Sequence, residues 1–264
     1  MHPESWILNP AQMVDLHCHI LPAVDDGSPS WEATAEMCRI ASEDGIRHIV
    51  ATPHANERFV YDRSRYERML RRLKNVGCGI KFSVGCDFHF SFDNIEDALL
   101  HPRRYTIGDS PYLLVEFSDF GSMAAIREGL FRLANSRTKP IITHPERNRA
   151  LLEAPANVIE LAKDGCLIQV TANSLTGYWG VRSQRMAEWL LKKDAIHVIA
   201  TDAHDTVRRP PLLSQAFDRV CHLTGEDVAN ALFVDNPNAI ISAANATRVA
   251  SSLSRSSSDQ TTAD

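Results

Sequence analysis

Val14-Asp15-Leu16-His17-Cys18-His19 is a short run, mostly apolar at its start, that ends in two histidines two residues apart. Its length and continuity are those of a strand buried on both faces, as in a parallel sheet. Side chains alternate along a strand, so His17 and His19 share a face. Asp15 lies one pleat deeper on that face, placed to hydrogen-bond a ligating histidine from behind, and Cys18 points the other way into the core. Similar runs follow at His48 to His54, Ile80 to Phe88, Tyr112 to Phe117, Pro140 to His144, Cys166 to Ala172 and His197 to Asp202. Between most of them lie stretches of helical periodicity: Pro29 to Asp44, Arg63 to Val76, Met123 to Asn135, Ala156 to Lys163 and Val181 to Lys192. Ser28 ahead of Pro29 reads as a helix N-cap followed by proline at the first helical position. Asp44-Gly45 and Asp164-Gly165 read as helix ends in which glycine takes the left-handed conformation. Strand alternating with helix in this way predicts an α/β fold with a parallel sheet. A closed or distorted barrel is favoured over an open doubly wound sheet.

The chain has 264 residues, 44% hydrophobic and 23% charged, an ordinary globular balance that one barrel domain accommodates. Its net charge of −5 and pI near 6.1 give no overall basic field to draw it to nucleic acid. The Arg68 to Lys74 cluster recurs at helical spacing and reads as a solvated helix face. Residues 1–12 lack the regions of a signal peptide, and no apolar run approaches the ~18 residues of a membrane span. The six cysteines form no C-x-x-C pair and read as reduced core thiols, so a cytoplasmic protein without membrane insertion is expected. The expected organisation is an N-terminal extension (1–12), one domain (13–243) and a disordered Ser/Thr-rich tail (244–264).

The informative residues end the strands. The first run closes on His17 and His19, the second on His54, the third on Asp87 and the fourth on Glu116. The fifth closes on His144 and the last on Asp202 and His204. The carboxyl ends of parallel strands form the ligand-binding rim of α/β folds, so these side chains converge. Imidazole with carboxylate suits manganese, iron or zinc. Asp26, in the turn Asp25-Asp26-Gly27, is close enough in sequence to reach the same pocket. His48 and His197 open their strands at the opposite rim, and His2, His101 and His222 read as surface residues. The phosphate-binding G-x-x-x-x-G-K-[ST] loop and the G-x-S-x-G elbow are absent, and no cysteine is followed six positions later by arginine.

Asp15 to His19, Thr52-Pro53-His54, Thr143-His144-Pro145-Glu146-Arg147 and Thr201-Asp202-Ala203-His204 resemble, in order, the motifs of the PHP (polymerase and histidinol phosphatase) superfamily. Leu21 to Gly27, Leu114 to Phe117, Gln169 to Gly177, Arg209-Pro210-Pro211 and Phe233 to Pro237 narrow the resemblance to bacterial CpsB/CapC-type tyrosine-protein phosphatases, over about residues 13–241. The resemblance implies a distorted (β/α)7 barrel holding up to three divalent ions, manganese foremost, then iron or zinc. The implied ligands are His17, His19, Asp26, His54, Asp87, Glu116, His144, Asp202 and His204. Asp87 stands where the family usually has glutamate, and His89 shares its face.

The implied chemistry is in-line attack on phosphotyrosine by a metal-activated hydroxide, with no phosphoenzyme. Arg147 and Arg209 are the arginines expected on the phosphate; Asp26 and His204 are grouped with them as catalytic. The implied partner is a tyrosine-phosphorylated protein, a kinase of an exopolysaccharide locus, and a homo-oligomer is compatible with the reading. The metal core alone also fits a small-molecule phosphatase acting on histidinol phosphate or a nucleotide. An amidohydrolase is a further competitor, weakened because no strand ends in lysine, and so is a non-catalytic barrel serving as a binding partner.

Overall fold

The computed structural model describes residues 12–74, 78–119 and 121–243. The expected N-terminal extension lies outside them but for residue 12, as does the whole Ser/Thr-rich tail. Strands and helices alternate as β1 (Met13–Cys18), α1 (Trp31–Glu43), β2 (Ile46–Ala51), β3 (His54–Ala55), α2 (Arg63–Leu73), β4 (Lys81–Val84) and β5 (Asp87–His89). Then come α3 (Phe92–Leu100), β6 (Tyr112–Glu116), α4 (Met123–Asn135), β7 (Lys139–Thr143), α5 (Arg149–Glu153) and α6 (Ala156–Lys163). The rest are β8 (Leu167–Thr171), α7 (Ala172–Leu175), α8 (Val181–Lys192), β9 (Val198–Ala200), α9 (Ser214–Thr224), α10 (Glu226–Asn230) and a π-helical turn, Ala231–Asp235.

All strand pairings among these elements are parallel. They form a three-stranded sheet, β1-β2-β4, and a six-stranded one, β3-β5-β6-β7-β8-β9. The sheets are continuous at two places, where β2 leads into β3 and β4 into β5. On the other side β9 meets β1 through a bridge between Cys18 and Ala203, a 2.7 Å bond from Asp202 N to His17 O and a 2.8 Å bond from His19 N to Ala203 O. The result is a distorted (β/α)7 barrel, seven strand positions with helices outside.

The structure breaks two of the expected strands. His48 to His54 is interrupted at Thr52-Pro53, because proline has no N–H to continue the ladder. Thr52 compensates with both its groups, donating from N to Cys18 O and accepting from Cys18 N at Oγ1, each 3.0 Å. Ile80 to Phe88 breaks at Gly85-Cys86, where a Cβ on Gly85 would lie 3.0 Å from Val50. These breaks change strand partners and bring His54 opposite Asp87. The first helix is capped by Ser30, not Ser28: Ser30 Oγ accepts from Ala33 N, while Ser28 Oγ is engaged with Thr34 and Ser30 O. Gly45 and Gly165, each at φ +96, end α1 and α6 as expected.

Two apolar clusters hold the ring. The larger lies between strands and helices. A smaller one joins Val14, Leu16, Val50, Leu114, Ile141 and Val198, from five strands, with Ile107 and Ile240. Each such side chain, fully removed from water, stabilises by about 1.5–3 kcal/mol. The strand ends above them are thereby held still.

Candidate metal centre

All nine strand-end and turn residues singled out in the sequence meet at the carboxyl ends of the strands. Their ligand-type atoms fall into four overlapping groups, each within 4.8 Å: His19, Asp26, His54 and His204; His17, His19 and Asp202; His17, Asp87 and His144; His54, Asp87 and Glu116. Nε2 of His17 and Nε2 of His19 face each other at 3.3 Å, and each lies 3.4 Å from Asp202 Oδ1. Asp87 Oδ2 is 3.5 Å from His17 Nε2 and 3.2 Å from His54 Nδ1. Asp26, half exposed at the mouth, sits 3.3 Å from His54 Nε2 and 3.6 Å from His204 Nε2. Glu116 Oε1 stands 3.8 Å from His144 Nε2. His89 reaches only the edge, 4.0 Å from Glu116.

Local backbone supports this convergence. His144 (φ 33) and Asp202 (φ 52) occupy left-handed conformations that non-glycine residues adopt at a cost of about 1–3 kcal/mol. Each is pinned by a backbone bond, His144 N to Gln169 O at 2.8 Å and Asp202 N to His17 O at 2.7 Å. The Asp25-Asp26-Gly27 turn lies flat on His19. A Cβ on Gly27 would sit 2.2 Å from His19 O, so only glycine lets the turn approach.

Two supporting residues were not assigned these roles from sequence. Asp25 Oδ2 lies 2.8 Å from His19 Nδ1 and accepts from His54 N at 3.2 Å. Gln169 Oε1 meets His17 Nδ1 at 2.9 Å. Both fix a ring so that Nε2 faces the cluster. The signal for Gln169 was a polar residue inside the apolar run Leu167-Ile168-Gln169-Val170-Thr171. Among the described residues Asp15 hydrogen-bonds no imidazole. The β1 ladder shifts register between Asp15 and Cys18, and Asp15 bonds instead to His17 N, Thr201 N and Thr201 Oγ1.

Arg147 and Arg209 both reach Asp202. Arg147 Nη1 donates to Asp202 Oδ2, and Arg209 Nη2 donates to the same oxygen at 2.5 Å and to Asp202 O at 2.9 Å. Asp202 therefore gives one oxygen to the imidazoles and the other to the guanidiniums. Trp179 lies against both cations, its ring centroid 4.1 Å from Arg147 Cζ and 5.3 Å from Arg209 Cζ. Sequence reasoning missed Trp179. The segment leading to it is anchored by Glu146, whose Oε1 accepts from Thr171 N at 3.0 Å and Ser174 Oγ at 2.6 Å.

The groups perturb one another strongly. Burial opposes charge on His19, but Asp25 and Asp202 outweigh it and lift the ring to about 9. Burial likewise opposes charge on His54, yet Asp26 and Asp87 raise it to about 11. Burial, then Asp87, pushes Glu116 up to about 7. Burial, then His19, depresses His204 to about 3. His54 Nδ1 and Asp87 Oδ1 are buried with no hydrogen-bond partner. Five imidazoles and four carboxylates with orphaned lone-pair atoms fit divalent cations with mixed nitrogen and oxygen ligation.

Comparison with known proteins agrees with this geometry. Residues 13–242 match the family model described as capsular polysaccharide synthesis, CpsB/CapC. The chain is 31% identical over 239 residues to the tyrosine-protein phosphatase CpsB of Streptococcus pneumoniae, covering 87% of this chain and 98% of that protein. It is 33% identical over 203 residues to the tyrosine-protein phosphatase YwqE of Bacillus subtilis, covering 75% and 79%. A crystal structure from work on YwqE and CpsB, described as unique metal-dependent tyrosine phosphatases, superposes with a TM-score of 0.79 at 30% identity. It covers 88% of this chain and 95% of the other. A phosphotriesterase homology protein from Escherichia coli, 10% identical, shares the fold with a TM-score of 0.59.

Proposed function

The chain belongs to the CpsB/CapC family of capsular polysaccharide synthesis, and from that premise we propose that it is a metal-dependent tyrosine-protein phosphatase. Its substrate is a phosphotyrosine protein, namely a tyrosine kinase of an exopolysaccharide locus, and its ions are up to three, of manganese, iron or zinc. The observation that carries the reading is the shared carboxylate of Asp202, with imidazoles on one oxygen and two arginines on the other.

The residues that would hold the ions are His17, His19, Asp26, His54, Asp87, Glu116, His144, Asp202 and His204. Held there, divalent ions supply Lewis-acid charge and lower the pKa of water enough to furnish a nucleophile near neutral pH. The chain does the rest. Asp25 and Gln169 keep the His19 and His17 rings aimed inward. Arg147 and Arg209 spend only part of their five-donor forks on Asp202, so other N–H groups remain to take phosphate oxygens and the charge that develops on them. Asp26 and His204 stand together at the mouth, where the ester enters. A tyrosine leaving group has a pKa of about 10 and departs with little protonation.

The deciding experiment is metal analysis of the purified protein with turnover of a phosphotyrosine peptide and of histidinol phosphate, before and after chelation. Bound metal with chelator-sensitive peptide turnover is the expected result. Preference for histidinol phosphate moves the protein to the small-molecule class, and absence of both metal and turnover makes it a binding barrel.

A further inference from the structure

Helix α2 is amphipathic in an unusual way. It buries Tyr66, Leu70 and Leu73 and exposes Arg65, Arg68, Arg71 and Arg72. Residues 62–74 carry six cations and two carboxylates in a chain whose net charge is −5. Among the described residues, α2 forms one ion pair, Arg63 to Glu67 at 3.0 Å, and Arg63 is otherwise spent on the carbonyls of Arg103, Arg104, Thr106 and Gly108. Arg72 lies 4.0 Å over the ring of Trp31.

Helix stability does not account for this face. Cations in the last turn complement the helix dipole, which covers Arg71 and Arg72, but Arg65 sits near the positive end. Arg65 and Arg68 are three apart and Arg68 and Arg72 four apart, spacings at which like charges repel. Glu67, paired with Arg63, and Glu32, near Arg72, offset only part of this charge, so the face keeps a positive excess that an acidic surface would cover.

It also starts at the candidate centre. The loop between β3 and α2 puts Phe59 parallel to His54, 6.1 Å between centroids at 11°. Arg58 stacks 5.0 Å over Phe59, and Val60 beside it is 85% exposed. This loop leads through the N-cap Asp62 directly into α2. We propose that the exposed face of α2, entered past Arg58 and Val60, receives an acidic stretch of the same partner chain that carries the phosphotyrosine. Charge complementarity selects that occupant. The proposal rests on the phosphatase reading, since the phosphotyrosine anchors the partner beside the face.

The test compares the metal-loaded protein with its R65E/R68E variant on three substrates: p-nitrophenyl phosphate, a phosphotyrosine peptide with an acidic flank, and one with an uncharged flank. Peptide binding is read separately by fluorescence anisotropy. A carboxylate at position 65 suits the helix dipole and one at position 68 stands four residues before Arg72, so the variant should melt no lower than the parent. The expected result is an about tenfold rise in KM and Kd for the acidic peptide with kcat unchanged, because rim charges act on encounter. The other two substrates should be untouched. In about 1 M salt, where the screening length falls to ~3 Å, the parent should lose its preference for the acidic flank. Unchanged Kd for the acidic peptide overturns the proposal. So does a variant that keeps that Kd but loses binding to phosphatidylserine vesicles, which assigns the face to anionic lipid. Absence of turnover of every phosphate ester counts against the phosphatase reading instead, and the anisotropy still decides the face.

Discussion

Half-buried histidines at the amino ends of the barrel strands and the histidines at the carboxyl ends are held by opposite surroundings. His48, on β2 near its start, hydrogen-bonds Ser83 Oγ at 2.8 Å, and burial with Lys81 nearby drives its pKa down to about 4. His197, just ahead of β9, accepts from Ile168 N at 3.0 Å and is likewise depressed, chiefly by burial. At the other end His19 is fully buried and His54 partly so, yet Asp25 with Asp202 lifts the first to about 9 and Asp26 with Asp87 lifts the second to about 11, while His204, against His19, is held down at about 3. Burial alone makes a histidine a neutral structural group. A ring of carboxylates makes it a site that positive charge, as protons or metal ions, will occupy.

Removing a carboxylate or an imidazole from the second end breaks the comparison most severely. Glu116→Ala or His144→Ala should lower phosphotyrosine turnover roughly a thousandfold or more and release bound metal, checked by elemental analysis beside kinetics. Next, Arg209→Ala should leave the metal content intact and reduce turnover about 10²–10³-fold, the scale of one lost oxyanion donor. Full activity in Arg209→Ala would remove that arginine from the phosphate. Asp25→Asn tests the support behind the ring: losing the carboxylate on His19 Nδ1 should weaken metal affinity about 10–100-fold while circular dichroism is unchanged.

Much of this end was legible from the amino acids, because a parallel strand announces itself as a short apolar run and the polar residue that closes it must lie on the ligand rim. His54, Glu116, His144 and Asp202 needed nothing more. The failures have local causes. Asp15 should have shared the His17 face, but the β1 register shift turned it onto the backbone. Pro53 and Gly85 each split a strand that looked continuous, and the splits set the His54 to Asp87 approach. Helix α3 was missed because only Ile95 and Ala98 of its nine residues are buried, too few to set a period. Trp179 was out of reach altogether. Its place against Arg147 and Arg209 depends on how separate loops pack, and no spacing along the chain encodes that.

The smallest effect sharpens the comparison from the first end. His48 is neutral in the folded protein down to about pH 4, whereas in the unfolded chain it takes up a proton near pH 6.5. Between these values the unfolded state binds more protons, so the stability His48 contributes is present above pH 6.5 and is lost as the pH falls toward 4. The shift corresponds to an upper bound of about 3–4 kcal/mol, reduced by whatever water reaches the half-buried ring. His48→Gln keeps a polar side chain that can face Ser83 and removes the titration. Urea unfolding of the chelated parent and variant at pH 7 and pH 4.5 isolates the term, because the acid-sensitive groups of the metal end are common to both. The parent should lose more stability than the variant over that interval. Equal losses would mean that His48 is already protonated in the fold, and that burial at this end does not hold the ring neutral.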